Sequence, residues 1–273
     1  MIRPIYKKEG KTMSRTVIDF HTHPFMTPEQ NICSHQECFP MGPEETFSLM
    51  KALGVSRFCG SVIAGRSAKA GPVTWQEILA LNNTALALRD LYKGAYIPGF
   101  HVHPAFVQES CEEIERMEGL GVRLIGELVP YYHGWSDYSC EAFSTILSCA
   151  EAHNMIVSFH SMGEDEMDRM VQRHPGTVFV AAHPGEYGEF MRHMERMKKS
   201  RNYYLDLSGY GIFRFGMLRH AIDLFGPERF LYGSDFPTCN PGMYLGGIVN
   251  DTLIRENEKE LILSGNAERL LML

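Results

Sequence analysis

The chain has 273 residues, 44% hydrophobic and 22% charged, with a formal net charge of −7. Such a balance can bury a sizeable core, which excludes a disordered polymer, and the negative charge excludes non-specific attraction to nucleic acid or an anionic membrane. No apolar run reaches bilayer length, and seven cysteines at irregular spacing fit reduced thiols rather than a disulfide framework, so a cytoplasmic protein is expected.

Residues 1–15, MIRPIYKKEGKTMSR, read as an N-terminal extension, and residues 16–273 as one domain. From Val17 onward, short apolar runs alternate with segments of helical period. The strand candidates in chain order are VIDFH from Val17, VSRFCGSVIA from Val55, AYIPGFHV from Ala95 and VRLIGEL from Val122. MIVSFH from Met155, TVFVAAH from Thr177, YYLDLS from Tyr203 and RFLYGSD from Arg229 follow. Between them lie PEETFSLMKALG, WQEILALNNTALALRDLYKG, EEIERMEGLG and EAFSTILSCAEAHN, whose apolar positions recur every three or four residues and which end near Gly or Asn. A last helical stretch runs from Leu253 through NAERLLML. About eight βα units of roughly 30 residues predict a single-domain α/β fold, a (β/α)8 TIM-type barrel.

Several strand candidates end in residues that bind metal. His21 and His23, two apart at the end of the first strand, share a face with Asp19. Glu127 ends the fourth strand, His160 the fifth, His183 the sixth and Asp235 the eighth. A (β/α)8 barrel brings strand C-termini to one face, so these positions are expected to converge on a divalent ion with a place left for water. Glu127 is expected either to touch the ion or to orient a ligand histidine. The pattern rests on order and strand position, because twelve histidines in such a chain produce an H-x-H pair readily by chance. His101 and His103 form such a second pair and are read as rim structure. Cys33, His35 and Cys38 lack a fourth ligand and are not read as a zinc site.

With these residues on the page, the chain resembles the amidohydrolase superfamily, and within it the amidohydrolase-2 group of metal-dependent hydrolases and decarboxylases. The resemblance is carried by DFHTH (Asp19, His21, His23), SFH (His160), AAHPG (His183), YGSDFP (Asp235) and the C-terminal ILSGNAERLLML, and it covers nearly all of the chain from Val17. It implies one ion held by His21, His23, His160 and Asp235, with His183 assisting catalysis or binding a second. Members with a carbamylated lysine carry it on strand four, whereas this chain has Glu127 there. That resembles TatD-like nucleases, whose strand-four glutamate bridges two metals, so one or two ions, zinc by donor type, are expected.

The expected reaction is hydrolysis of an ester, lactone or amide of a small molecule, with Asp235 taking the proton of the attacking water and His183 polarising the carbonyl or holding a second ion. The loop PYYHGWSDYS after the fourth strand offers Tyr131, His133 and Trp135 as substrate contacts, and Arg66 after the second strand offers a carboxylate partner. Two alternatives stand beside hydrolysis. One is non-oxidative decarboxylation of a ring carboxylate, which needs a cationic clamp for which Arg66 is the only candidate; the other is a catalytically silent metal-binding barrel. A homo-oligomer is compatible with the sequence, and neither nucleic acid nor membrane is an expected partner.

Overall fold

Eight parallel strands follow one another in sheet order: β1 (Ile18–Asp19), β2 (Arg57–Ser61), β3 (Tyr96–Phe100), β4 (Leu124–Leu128), β5 (Ile156–His160), β6 (Val178–Ala182), β7 (Tyr203–Asp206) and β8 (Phe230–Leu231). In this computed structural model the described residues are 16–33, 41–64, 71–211 and 214–273. The extension 1–15, Arg66, His35 and Cys38 lie outside them. Helices α1 (Pro43–Ala52), α2 (Trp75–Tyr92), α3 (Val107–Gly119), α4 (Glu141–Ala152), α5 (Glu164–Arg173), α6 (Tyr187–Lys199) and α7 (Met217–Phe225) connect successive strands. After β8 come α8 (Pro241–Asn250), α9 (Glu256–Glu260), a π turn at Leu261–Gly265 and α10 (Asn266–Leu271). This is the TIM-type barrel expected from the alternation. Among the described residues no helix is long and apolar enough to cross a membrane.

The helices form where the sequence pattern places them. In α2, Thr74 Oγ1 accepts from the Glu77 amide while Glu77 Oε2 accepts from the Thr74 amide at 2.7 Å, satisfying two of the free N–H groups at the helix start. Ile78, Leu81, Ala85, Leu88 and Tyr92 then fall on one buried face at three- and four-residue spacing. By contrast, α3 begins at Val107, five residues ahead of the EEIERMEGLG pattern. Its first turn buries Ser110, whose Oγ accepts from the His103 amide, so a polar residue occupies an inward position and the apolar period is lost there.

Two apolar layers result. Ile18, Phe20, Cys59, Leu124, Ile156, Val180 and Leu231 pack together with Ala267 and Leu271 of α10, so the last helix closes the end of the barrel where the strands begin. A larger cluster lies between strands and outer helices. β8 and β1 are short, and the barrel is closed largely by the segments beyond them. Phe20 N donates to Tyr232 O at 2.9 Å, Asp235 N to His21 O at 2.8 Å and His23 N to Phe236 O at 2.6 Å. This lacing places His21 and His23 beside Asp235 at the opposite end from α10.

Candidate metal centre

Four side-chain atoms meet at the end of β4 and just beyond β1 and β8. His21 Nε2 lies 3.1 Å from His23 Nε2 and 3.2 Å from Glu127 Oε2, and His23 Nε2 is 3.1 Å from the same oxygen. Asp235 Oδ1 completes the group at 3.6 Å from His21 Nε2 and 3.5 Å from His23 Nε2. Ligand atoms around one ion with bonds of about 2.0 to 2.1 Å are roughly 3.3 Å apart in a tetrahedron and about 3.0 Å in an octahedron. All five separations fall near those edges. The His21, His23 and Glu127 atoms therefore form a group able to hold a metal ion, and all three residues are buried.

Glu127 reaches this position because β4 bulges against β5. Ile125 pairs with Val157 and Leu128 with Phe159, so three steps on one strand meet two on the other and the intervening Glu127 is re-aimed. Its second oxygen, Oε1, faces a second group: His160 Nδ1 at 3.1 Å and His183 Nε2 at 3.7 Å. Glu127, His160 and His183 also satisfy the spacing for an ion. One carboxylate thus has an oxygen in each half of the site.

His183 and Asp235 both adopt left-handed backbone, with φ of 67° and 59°. That region is uncommon for residues other than glycine and costs on the order of 1 kcal/mol or more, so the surrounding hydrogen bonds must enforce it. At these two turns His183 Nε2 faces Glu127 Oε1 and Asp235 Oδ1 faces His21 and His23.

The electrostatics suit a cation. Burial opposes charge on His21, but Glu127 and Asp206 outweigh it and hold the imidazole well above its ordinary range. Burial likewise opposes ionisation of Glu127, yet His21, with hydrogen bonds from His160 and His23, keeps its carboxyl well below the usual range. His160 is raised despite burial, through its bond to Glu127, whereas burial lowers His183.

Each residue expected at the site is accounted for where the chain is described. His21, His23, Glu127, His160, His183 and Asp235 come together. Asp19 does not join them: its Oδ1 accepts from the His21 and Ser234 amides, tying β1 to the β8 segment, and burial pushes its carboxyl up to about 7. Tyr131 packs edge-on to His160 with ring centroids 5.3 Å apart. His133 is buried against His101 at 4.7 Å, and its carbonyl accepts from His103 Nε2. Trp135 packs on Phe143 and Tyr138, because its amide bonds back to Pro130 O and folds the loop onto α4. A cavity of about 540 Å³ opens beside the metal-type residues instead toward Tyr210, Cys239 and Tyr244, and none of Tyr131, His133 and Trp135 lines it.

Three residues that carry the site were not singled out from the sequence: Asp206, Ser208 and Cys239. Asp206 Oδ2 bonds His21 Nδ1 at 2.9 Å, Ser208 Oγ touches both His21 and His183, and Cys239 Sγ is 3.8 Å from Asp235 Oδ2. The available signal was a carboxylate closing the strand YYLDLS, the same signal that marked Glu127 and Asp235.

The amidohydrolase family model matches residues 18–273. Among solved structures the chain is similar to an uncharacterised TIM-barrel protein from Bordetella bronchiseptica, with TM-score 0.74, 20% identity, and coverage of 94% of this chain and 98% of that one. It is also similar to a 5-carboxyvanillate decarboxylase from Novosphingobium aromaticivorans complexed with manganese and a nitrobenzoic acid, with TM-score 0.71, 15% identity and coverage of 97% and 98%. A probable 2-pyrone-4,6-dicarboxylic acid hydrolase from Acinetobacter baumannii with bound citric acid gives TM-score 0.66, 14% identity and coverage of 94% and 100%. No curated protein matches the chain. The structural likenesses share the barrel, and the family match spans all eight strands and the converging histidines and carboxylates: the chain belongs to the amidohydrolase family, in its amidohydrolase-2 group.

Proposed function

We propose that this protein is a metal-dependent hydrolase that cleaves an ester, lactone or amide bond of a small molecule. The observation that carries the reading is the set of five ligand-edge distances among His21, His23, Glu127 and Asp235. These residues would hold one divalent ion, and Glu127 Oε1, His160 and His183 a second; the mixed nitrogen and oxygen donors suit zinc. When bound, such an ion supplies Lewis acidity and brings the pKa of a water down to about 7.

The protein's own groups then have distinct tasks. Asp235 accepts the proton of the attacking water and returns it to the leaving group. His183, lowered by burial, would offer Nε2 to a second ion. The cavity receives the substrate body beside Tyr210, Cys239 and Tyr244.

The test is elemental analysis of protein prepared without chelator, followed by a screen of esters, lactones, amides and ring carboxylates with added zinc or manganese. Turnover of an ester, lactone or amide that stops with chelator is expected. Release of carbon dioxide from a ring carboxylate would replace hydrolysis by decarboxylation, and failure to bind either metal would overturn both.

A further inference from the structure

Ser208, just beyond β7, touches both halves of the metal centre. Its Oγ lies 2.9 Å from His21 Nδ1 and 3.1 Å from His183 Nδ1, and it donates to Asp206 Oδ1. Asp206 Oδ2 takes His21 Nδ1 at 2.9 Å. Ser208 and Asp206 are wholly buried, so no solvent competes for these bonds.

The protons can be counted. A serine hydroxyl has one, and here it is donated to Asp206 Oδ1. The oxygen's remaining capacity is to accept. Its contact with His183 therefore requires a proton on His183 Nδ1, which leaves Nε2 as a bare lone pair. That lone pair faces Glu127 Oε1 at 3.7 Å. Two acceptors opposed in a buried site repel each other unless a cation lies between them.

The backbone is shaped for the same end. Gly209 has φ of 58°, and a Cβ there would sit 2.3 Å from His183 Nδ1. Only glycine lets the turn after β7 lie against the imidazole edge.

We propose that Ser208 is the positioning residue for the second cation position: its hydroxyl holds His183 with the proton on Nδ1 and Nε2 open toward Glu127, while Asp206 holds His21 for the first. The β7 segment Asp206–Gly209 thereby builds both positions from one strand end. The proposal rests on the metal reading above, and its test separates the two.

Ser208→Ala removes the acceptor for His183 and leaves the Asp206–His21 bond. In calorimetric titration with zinc ion alone, the wild type is expected to take two equivalents. The variant should keep the first and bind the second about 10- to 100-fold more weakly, the usual effect of losing a ligand's outer partner. Gly209→Ala, which pushes the ring aside by a different route, should give the same selective loss. Ring-nitrogen NMR of the metal-free proteins is the independent readout: His183 carries its proton on Nδ1 in the wild type and becomes a tautomer mixture in Ser208→Ala. Unchanged second-site affinity with an unchanged His183 tautomer would overturn the proposal. If the wild type binds no zinc, the metal reading fails, and the tautomer comparison still decides the role of Ser208.

Discussion

His21 Nε2 lies 3.2 Å from Glu127 Oε2, and although burial disfavours an imidazolium there, Glu127 and Asp206 hold His21 well above its ordinary range. A proton and a divalent ion thus compete for the same nitrogen. Metal binding is expected to release a proton and to tighten as pH rises, which calorimetry in buffers of different ionisation enthalpy checks. The stability linkage has the same sign. A raised folded-state pKa contributes stability that is present below about pH 6.5 and is lost as pH rises through the folded value, so the metal-free protein loses this contribution on the alkaline side. The ion replaces it. At 100 times its dissociation constant an ion adds about 2.7 kcal/mol, or roughly 5 to 10 °C in Tm, a gap that chelator should erase. Equal metal affinity at pH 6 and pH 8 would contradict the competition.

Glu127→Gln keeps the shape but removes the charge facing four histidine nitrogens. Zinc affinity should fall at least ~100-fold, and the metal-free fold should lose about 3 to 5 kcal/mol, the usual cost of taking one partner from a buried pair. Equilibrium dialysis and urea unfolding read the two effects separately. Full metal content in the variant would remove Glu127 from the ligand set.

Asp235→Asn and His21→Ala should fail differently. Asn at 235 retains one coordinating oxygen but accepts no proton at neutral pH, so turnover should drop about 100- to 10,000-fold while much of the metal stays. Ala at 21 removes the ring whose Nε2 faces Glu127 and whose Nδ1 bonds Asp206, and metal and activity should be lost together. Turnover of an identified ester or lactone at matched metal content makes the comparison. Wild-type turnover by Asp235→Asn would restrict Asp235 to a structural role.

His193, which bonds the backbone of His183 from behind the site, gives a pH effect of its own. Burial first, then Arg196, pulls its pKa down to about 3, and its ring bonds Tyr203 Oη through Nδ1 at 2.7 Å. The unfolded chain takes up this proton near pH 6.5 and the folded one does not, so stability is lost as pH falls from about 6.5 toward 3, by up to about 5 kcal/mol. His193→Gln should flatten the acid limb of a urea-midpoint against pH curve. An unchanged slope would mean that the acid sensitivity lies elsewhere.

The barrel and the convergence of six candidate residues at its mouth were legible because both follow from local chemistry. Alternating periods fix strands and helices, and a parallel barrel sends every strand C-terminus to one face, so a histidine or carboxylate there is placed by its position alone. The start of α3 was hidden because Ser110 fills an inward position with a hydroxyl that only its bond to His103 explains. Trp135 looked like a substrate contact because an aromatic loop beside a strand end can face either way, and only its packing on Phe143 shows which. Asp206 and Ser208 stood in plain view at the end of β7. Their meaning depends on His21, 185 residues from Asp206 in the chain. The left-handed turns at His183 and Asp235 were equally unreadable, since neither residue type demands them. Local pattern determines which side chains reach the mouth of the barrel. Which atom of each faces which partner is decided only when the eighth strand closes against the first, because hydrogen-bond direction, tautomer and charge depend on groups brought within about 3 Å from distant parts of the chain.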